Sequence, residues 1–591
     1  MATLQSGQTI SIQLAEGESY TVTPSGTAQV STRGVSGSEL SAPRTLTSAQ
    51  TFGPYAEAGV INIACLVGTA VYGAFSGISV TATGVASTDA AAIQAAIDSV
   101  EAAGGGTVDL YGTFQLRALQ DGSFSRYVAV KLKSNVNLRG VPGQTKLRLA
   151  SSAEPTGWGG HVLLGENVSN IRIEGIEVDG NRTAFTSPAF AVPQDGVAGS
   201  NIRLLDCVDV TVENCYSHSA IYHGFFAVDG CRRINARRNK FSNCGYRAMH
   251  FNGTDGAGND ITDCAFDEND CWSNGQAADN PTNGGIFIAL GSAYRIACRG
   301  NTVKDDLGCG IEITGTGPGV TSIAREIVVI GNRITACENG IRTANNLTNA
   351  IISGNTISDS TATGIALGSM TACRVEGNIV RRGAAMALTV GNNSTDATVG
   401  CSICNNTFFD NHGDATQRAA LLIQAGAHIA LQINNNAFIN NGATDNNACA
   451  AINMIDPASN RTKSLQIVGN LFRNNKGHGI LLYDTDDAMV CDNTFMDNYE
   501  ATGPRGRAIW VRGTADRTLV SGNKSVNDNV TNSLEQVQFD ATTTNSRCYM
   551  NEMECAAANK FIGAVGATGL AHSNTGTASW PVGFTTGTSA V

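Results

Sequence analysis

Charge is scarce in this chain. Asp, Glu, Lys and Arg make up 15% of its 591 residues, aromatic residues make up 6%, and there are only 12 prolines. A helical protein would be richer in Leu, Lys and Glu, so this composition argues against one. The sequence has no apolar run long enough for a membrane-spanning helix, and none is expected. It has no basic run either. With a formal net charge of −11, a nucleic-acid partner is not expected, because phosphate binding needs clustered Lys and Arg. The opening MATLQSGQTISIQLAEGESY holds no basic segment followed by an apolar core. No secretory signal is therefore expected there, and folding in a cytoplasm is. The 17 cysteines are an odd number, so they cannot all pair within one chain. Cys401 and Cys404 form a lone CxxC, not the two pairs of a zinc site. The cysteines are expected to be small buried side chains, mostly reduced, and no metal or cofactor is expected.

Glycine, by contrast, is abundant, at 67 residues. Small residues with little charge suit stacked strands and short turns. Residues 1–80 alternate polar and apolar positions, as in Thr9, Ile10, Ser11, Ile12, Gln13 and Leu14, which predicts half-buried strands. The stretch 52–75, FGPYAEAGVINIACLVGTAVYGAF, reads as a compact β-hairpin module. In STDAAAIQAAIDSVEAAGGGTVDLYGTFQLR (87–117), Thr88 or Asp89 is placed to cap a helix. Ile93, Ile97 and Val100 share one face, and Gly104 to Gly106 end it. A short amphipathic helix that leads directly into strands would cover the open end of a solenoid, which otherwise exposes unpaired backbone.

A repeat close to I-x-G-N-x-[FIV], a polar turn and G-I-x-[IL] then recurs. Its landmark asparagines are Asn214, Asn239, Asn301, Asn332, Asn355, Asn378, Asn406, Asn436, Asn470, Asn493 and Asn523, with degenerate coils near Glu174 and Cys264. Such self-similarity marks a stacked array in which no coil has a core of its own. Asn is expected at these corners because it tolerates a left-handed backbone and can bond to the Asn of the next coil. With strands about 4.7–4.9 Å apart, some thirteen coils would make a rod of roughly 60 Å. The periodicity stops near residue 530.

The 87–117 segment resembles the entry signature of the pectate-lyase-like superfamily, which includes phage tailspikes, polygalacturonases and mannuronan epimerases. The 52–75 segment resembles the N-terminal β-modules of bacteriophage tail proteins. The resemblance implies an all-β fold, a right-handed single-stranded parallel β-helix with a capping helix and a small N-terminal β domain. The implied organisation is a β module for virion attachment at 1–80, a linker and capping helix at 81–106, the solenoid at 107–535 and a capping or oligomerising tail at 536–591. A tailspike would be a homotrimer on the virion tail, attached to a tail or baseplate protein, that binds and depolymerises a host cell-surface polysaccharide. A non-catalytic receptor-binding fibre, a polysaccharide lyase or epimerase outside any virion, and a purely structural virion protein are the alternatives.

The x residue of G-I-x-[IL] points out of the coil. Down successive coils it reads Phe226, His250, Phe287, Glu312 and Arg342, then Ala366, Ala387, Leu422, Asn453, Leu481 and Trp510. Aromatic faces stack on sugar rings and Arg binds acidic groups, so Phe226, Phe287, Arg342 and Asp255 are expected to bind substrate. Glycoside hydrolysis needs two carboxyl groups a few ångströms apart. Glu312 is the leading candidate, with Asp305 and Asp306 in its coil's turn, Asp229 at a strand end, and His250 as an acid–base assistant. His218 and His223 are secondary candidates. For a lyase, Arg342 and His250 would serve instead. The polygalacturonase pattern is not reproduced: Asp305-Asp306 and Gly477-His478-Gly479 stand several coils apart, and no Arg-Ile-Lys occurs. The epimerase Asp-Pro-His-Glu motif is also missing.

Overall fold

The strands of the array are short, most of three or four residues, and almost all pair in parallel with the equivalent strand one coil away. In this computed structural model, residues 78–552 are described with side chains, apart from residue 120, described by its backbone alone, the loops 121–126, 151–159, 186–198, 254–259, 277–283, 289–291, 315–323, 345–346, 392–396, 412–418, 443–449, 455–460, 499–506 and 527–536 and residues 425, 427 and 541; beyond 78–552 only strand backbones are described. Three long sheets run the length of the array, two of them with 16 and 17 strands. The protein is a right-handed parallel β-helix, as the crossover rule requires of parallel strands joined in one sheet. At 16 to 17 coils it is longer than the thirteen expected, roughly 75–80 Å at one strand spacing per coil.

The extra coils lie at both ends, where the full repeat is absent, although Asn551 still continues the asparagine ladder. Ile78–Thr81 already pairs with Gly106–Tyr111, within what reads as the N-terminal module. At the other end, parallel pairing continues past residue 530 through Val537–Phe539, Ser546–Tyr549 and Gly569–His572 to Phe584–Thr586. Upstream, two four-stranded antiparallel sheets occupy the N-terminal segment. Gly59–Val67 and Thr69–Ala74 go into different sheets, so 52–75 is not a hairpin.

Helix α1 (Ala86–Ala102) covers the first coils with Ile93, Ile97 and Val100 fully buried. Its start differs from the expected cap. Val85 is the N-cap and makes no side-chain bond. Asp89 instead accepts from the backbone N–H groups of Thr83, Gly84 and Gln115 at 2.7, 3.1 and 2.9 Å, which ties the first helical turn to the incoming chain and to a strand.

The asparagine ladder is continuous. Asn239, Asn269, Asn301, Asn332, Asn355, Asn378, Asn406, Asn436, Asn470, Asn493, Asn523 and Asn551 each bond to the next. Each Nδ2 that donates forward also donates to a carbonyl of the preceding coil, as from Asn355 to Val329 at 3.0 Å, so buried polar groups are satisfied. The ladder residues do not take the left-handed backbone. The residue before them does: Gly300, Gly331, Gly354, Gly377 or Asn405, at φ between 57 and 67°. Asn214 sits at such a preceding position, at φ 52°, and Cys215 holds the ladder place and donates to Asn239.

At the next corner, glycine is fixed by close approach. A Cβ on Gly310 would lie 2.7 Å from the Gly340 carbonyl oxygen. This explains the Gly of G-I-x-[IL]. Inside, like residues stack: Phe408, Phe438, Phe472 and Phe495 form a column with ring centres 5.1, 5.0 and 4.7 Å apart. The described cysteines are free, and all but Cys404 are buried.

Candidate functional site

The 17-stranded sheet brings the outward residues into register. Arg203, Phe226, His250, Phe287, Glu312, Arg342 and Ala366 are direct partners on successive strands. The next member is Thr389, not Ala387, which is a buried corner residue. Arg203 extends the row by one coil beyond the expected set.

This row is not an open groove. His250 is 5% exposed, Phe287 1% and Glu312 8%. The cover comes in part from a second row at the preceding corner, three residues before each outward position. His223 and Arg247 stand there, as His161 does one coil before Ser200. The His223 ring lies 4.7 Å from both Phe226 and His250. Arg247 reaches two coils on. Its guanidinium lies 3.5 Å from the Phe287 ring centre, and its Nη1 donates to Glu312 Oε2 at 2.9 Å. Arg342 approaches the other oxygen, Oε1, at 3.8 Å and is itself 46% exposed. Glu312 is thus held between two guanidiniums, Oε2 with the buried Arg247 and Oε1 with the half-exposed Arg342. Phe226 and Phe287 flank the His250 imidazole at 4.8 and 4.5 Å, and the Tyr222 and Tyr246 rings, 4.4 Å apart, edge the His223 side.

Burial and nearby cations set the protonation states. Burial holds His223 well below the usual imidazole range, with Arg247 and Arg203 adding to the effect. Burial likewise depresses His250, with His223 and Arg247 contributing. Both rings are neutral, so each has one donor nitrogen and one acceptor. His223 Nδ1 accepts from the Arg247 backbone N–H at 3.4 Å, so its Nε2 carries the proton. That Nε2 faces His250 Nδ1 at 3.1 Å, which must accept. The His250 proton is therefore on Nε2, a buried atom with no hydrogen-bond partner among the described residues. His250 presents a donor, not a base. Burial also lowers Arg247, an effect that Glu312 offsets.

The remaining candidates lie elsewhere. Asp306 points into the coil interior. Its Oδ1 accepts from Asn274 backbone N–H and Nδ2 at 2.6 and 3.1 Å, in a second short ladder parallel to the main one, and burial pushes it up to about 7. It is a ladder residue and cannot face a substrate. Asp305 turns outward with a left-handed backbone and pairs with Lys304 at 3.4 Å. Asp229 sits at the far corner of the sheet, where it and Glu166 add to the burial that raises Asp206. His218 lies on another sheet, bonded to Glu177 at 3.0 Å. Asp255 lies outside the described residues. The sequence reading missed His161, Arg203 and Arg247. The available signal was their phase: Arg247 stands three residues before His250, as His223 does before Phe226.

The family model described as "Periplasmic copper-binding protein (NosD)" matches residues 275–421. In that stretch the described cysteines other than Cys404 are buried in the coils, and among the described residues no group of His, Cys, Asp or Glu is placed to hold a metal ion. These residues do not fit a copper centre. No curated protein matches the chain. Among solved structures, a mutant tailspike protein of E. coli bacteriophage HK620 is 14% identical, covers 83% of this chain and 78% of its own, and has a TM-score of 0.46. A second mutant of that tailspike, in complex with a hexasaccharide, is 12% identical over 84% and 80%, with a TM-score of 0.41. The A-module of a mannuronan C-5 epimerase of Azotobacter vinelandii is 16% identical over 74% and 95%, with a TM-score of 0.42. At these values nothing about activity passes from them to this chain.

Proposed function

We propose that this protein binds a polysaccharide along the outer face of the 17-stranded sheet and cleaves it by hydrolysis at the Phe226–Arg342 row. The observation that supports this reading is the convergence in one register row of two aromatic rings, a neutral imidazole whose Nε2–H has no partner among the described residues, and a carboxylate clamped by two guanidiniums. Glu312 Oε1 is the base that takes a proton from water. His250 Nε2–H, buried in the unliganded row, is uncovered when the polymer seats and hydrogen-bonds the leaving oxygen as charge develops there, and that oxygen takes its proton from water as it departs. The two residues are two strand steps apart, roughly 9.5 Å, which leaves room for a water and goes with inversion of configuration. The carboxylate pair expected from sequence is replaced in this reading by Glu312 and His250, because Asp306 faces inward. The virion-tail location, the homotrimer and the tail-protein partner belong to the same proposal. They rest on the resemblance of 52–75 and 87–117 to phage tail proteins and the pectate-lyase-like superfamily.

A lyase is the second reading. It is favoured by the exposed Arg342 guanidinium beside Glu312, suited to neutralise a uronate carboxylate. Both readings place the polymer against Arg342, so one binding experiment tests them together. Arg342→Ala removes an exposed group and leaves the Arg247–Glu312 pair in place, so folding is unaffected. Binding of host surface polysaccharide is expected to weaken by about tenfold, near 1.4 kcal/mol. Unchanged binding takes the polymer off this face.

A further inference from the structure

On the same face, nine strand steps beyond His250, the two-row pattern recurs. His478 and Arg507 occupy the corner positions three residues before Leu481 and Trp510. The Arg507 backbone N–H donates to His478 Nδ1 at 3.2 Å, the counterpart of the Arg247 to His223 bond. Two guanidiniums lie over the Trp510 indole, Arg507 at 4.2 Å and Arg512 at 4.3 Å. Arg512 also lies 5.2 Å from the Tyr483 ring. Asp540 fixes the arrangement: one oxygen accepts from Trp510 Nε1–H at 2.8 Å, and the other pairs with Arg512 at 3.3 Å.

This cluster differs from the first in what it offers. It has no carboxylate clamped between cations in the row, and it is not sealed. Trp510, Tyr483 and Arg507 are partly exposed, and the Arg512 side chain is 35% exposed. Between the clusters the row is Ala366, Thr389, Leu422, Asn453 and Leu481, without a charge or an aromatic ring. The face therefore has two cationic aromatic stations separated by a buried, uncharged stretch. Arg512, whose Nε pairs with Asp540, holds its Nη groups beside the indole, where they suit a planar anion such as a carboxylate.

We infer that Trp510, Arg507 and Arg512 form a second anchoring station for the same polymer, and that this polymer carries acidic groups. The inference rests on the reading of the first row as a polysaccharide site. At one strand spacing per coil, Trp510 lies roughly 43 Å from His250. Only chains long enough to span that distance engage both stations, and they gain by effective concentration.

The probe is size-fractionated polygalacturonate, titrated calorimetrically against the full chain, with neutral dextran as control. Short fragments are expected to bind at two sites per chain, one removed by Arg342→Ala and the other by Arg512→Ala. Fragments that span both stations are expected to bind on the order of 10²-fold more tightly, and Arg512→Ala removes that gain. A single short-fragment site that Arg342→Ala abolishes and Arg512→Ala spares overturns the second station alone. A single site with the opposite response overturns the first row as a binding site. Binding of dextran as tight as that of polygalacturonate overturns the acidic class, and no binding at any length overturns both stations.

Discussion

Glu312→Gln is expected to lower turnover on the polymer by about 10³-fold while leaving its binding within a few-fold. Gln keeps the shape and one hydrogen bond to Arg247 but cannot take a proton from water. The structure adds a consequence for stability. Arg247 is buried, and its guanidinium is matched to the Glu312 carboxylate at 2.9 Å. A neutral partner leaves that charge uncompensated, and breaking one side of a buried pair costs about 3–5 kcal/mol. The single variant should therefore melt earlier as well as turn over slowly. The double variant Glu312→Gln/Arg247→Met separates the two effects, because removing both charges restores most of the stability without restoring turnover. Unchanged turnover in Glu312→Gln removes Glu312 from the mechanism.

Asp306→Asn is expected to stabilise the protein, increasingly so as pH rises. Asp306 stands in an asparagine ladder, bonded to Asn274, with Cys244, Cys271 and Cys337 around it and the exposed Asp305 next to it. Its Oδ2 is buried and has no hydrogen-bond partner among the described residues. Burial raises its pKa to about 7, against about 3.9 for a free aspartate. The folded state therefore binds this proton more tightly than the unfolded state. The stabilising contribution is full below pH about 4 and is lost progressively as pH rises to about 7. The total is about 4 kcal/mol, at 1.36 kcal/mol per unit. Asn carries no charge and is the residue found elsewhere in the ladders. Denaturation midpoints of the two proteins should converge near pH 4 and diverge up to pH 8. Parallel curves across that range would show that Asp306 titrates normally and is not sealed in the coil.

The residues of the outward row were legible because a strand has period two. Once a coil is marked by Gly and an apolar residue, the side chain that faces outward follows, and Phe226, His250, Phe287, Glu312 and Arg342 fall into line. The reading slipped where the mark is absent. In GAAMALTV the corner residue is Ala387 instead of Gly, and the outward position moved from Thr389 to it. Corners carry no such period. Asp305 and Asp306 look alike in sequence, yet one turns out to Lys304 and the other in to Asn274. Arg247 was missed for a different reason. Its partner is 65 residues away, and only the stacking of three coils brings them together. The end coils were also hidden because the repeat is broken there: Met550 stands where glycine usually precedes the ladder asparagine.

The central claim is that the row from Phe226 to Arg342 cleaves a polysaccharide. The most direct test is to incubate the purified protein with surface polysaccharide from candidate hosts and follow polymer size and product ends. A fall in size with new reducing ends and no unsaturated sugar is the predicted result. Polymer that binds and keeps its full length would contradict it and leave a receptor-binding protein.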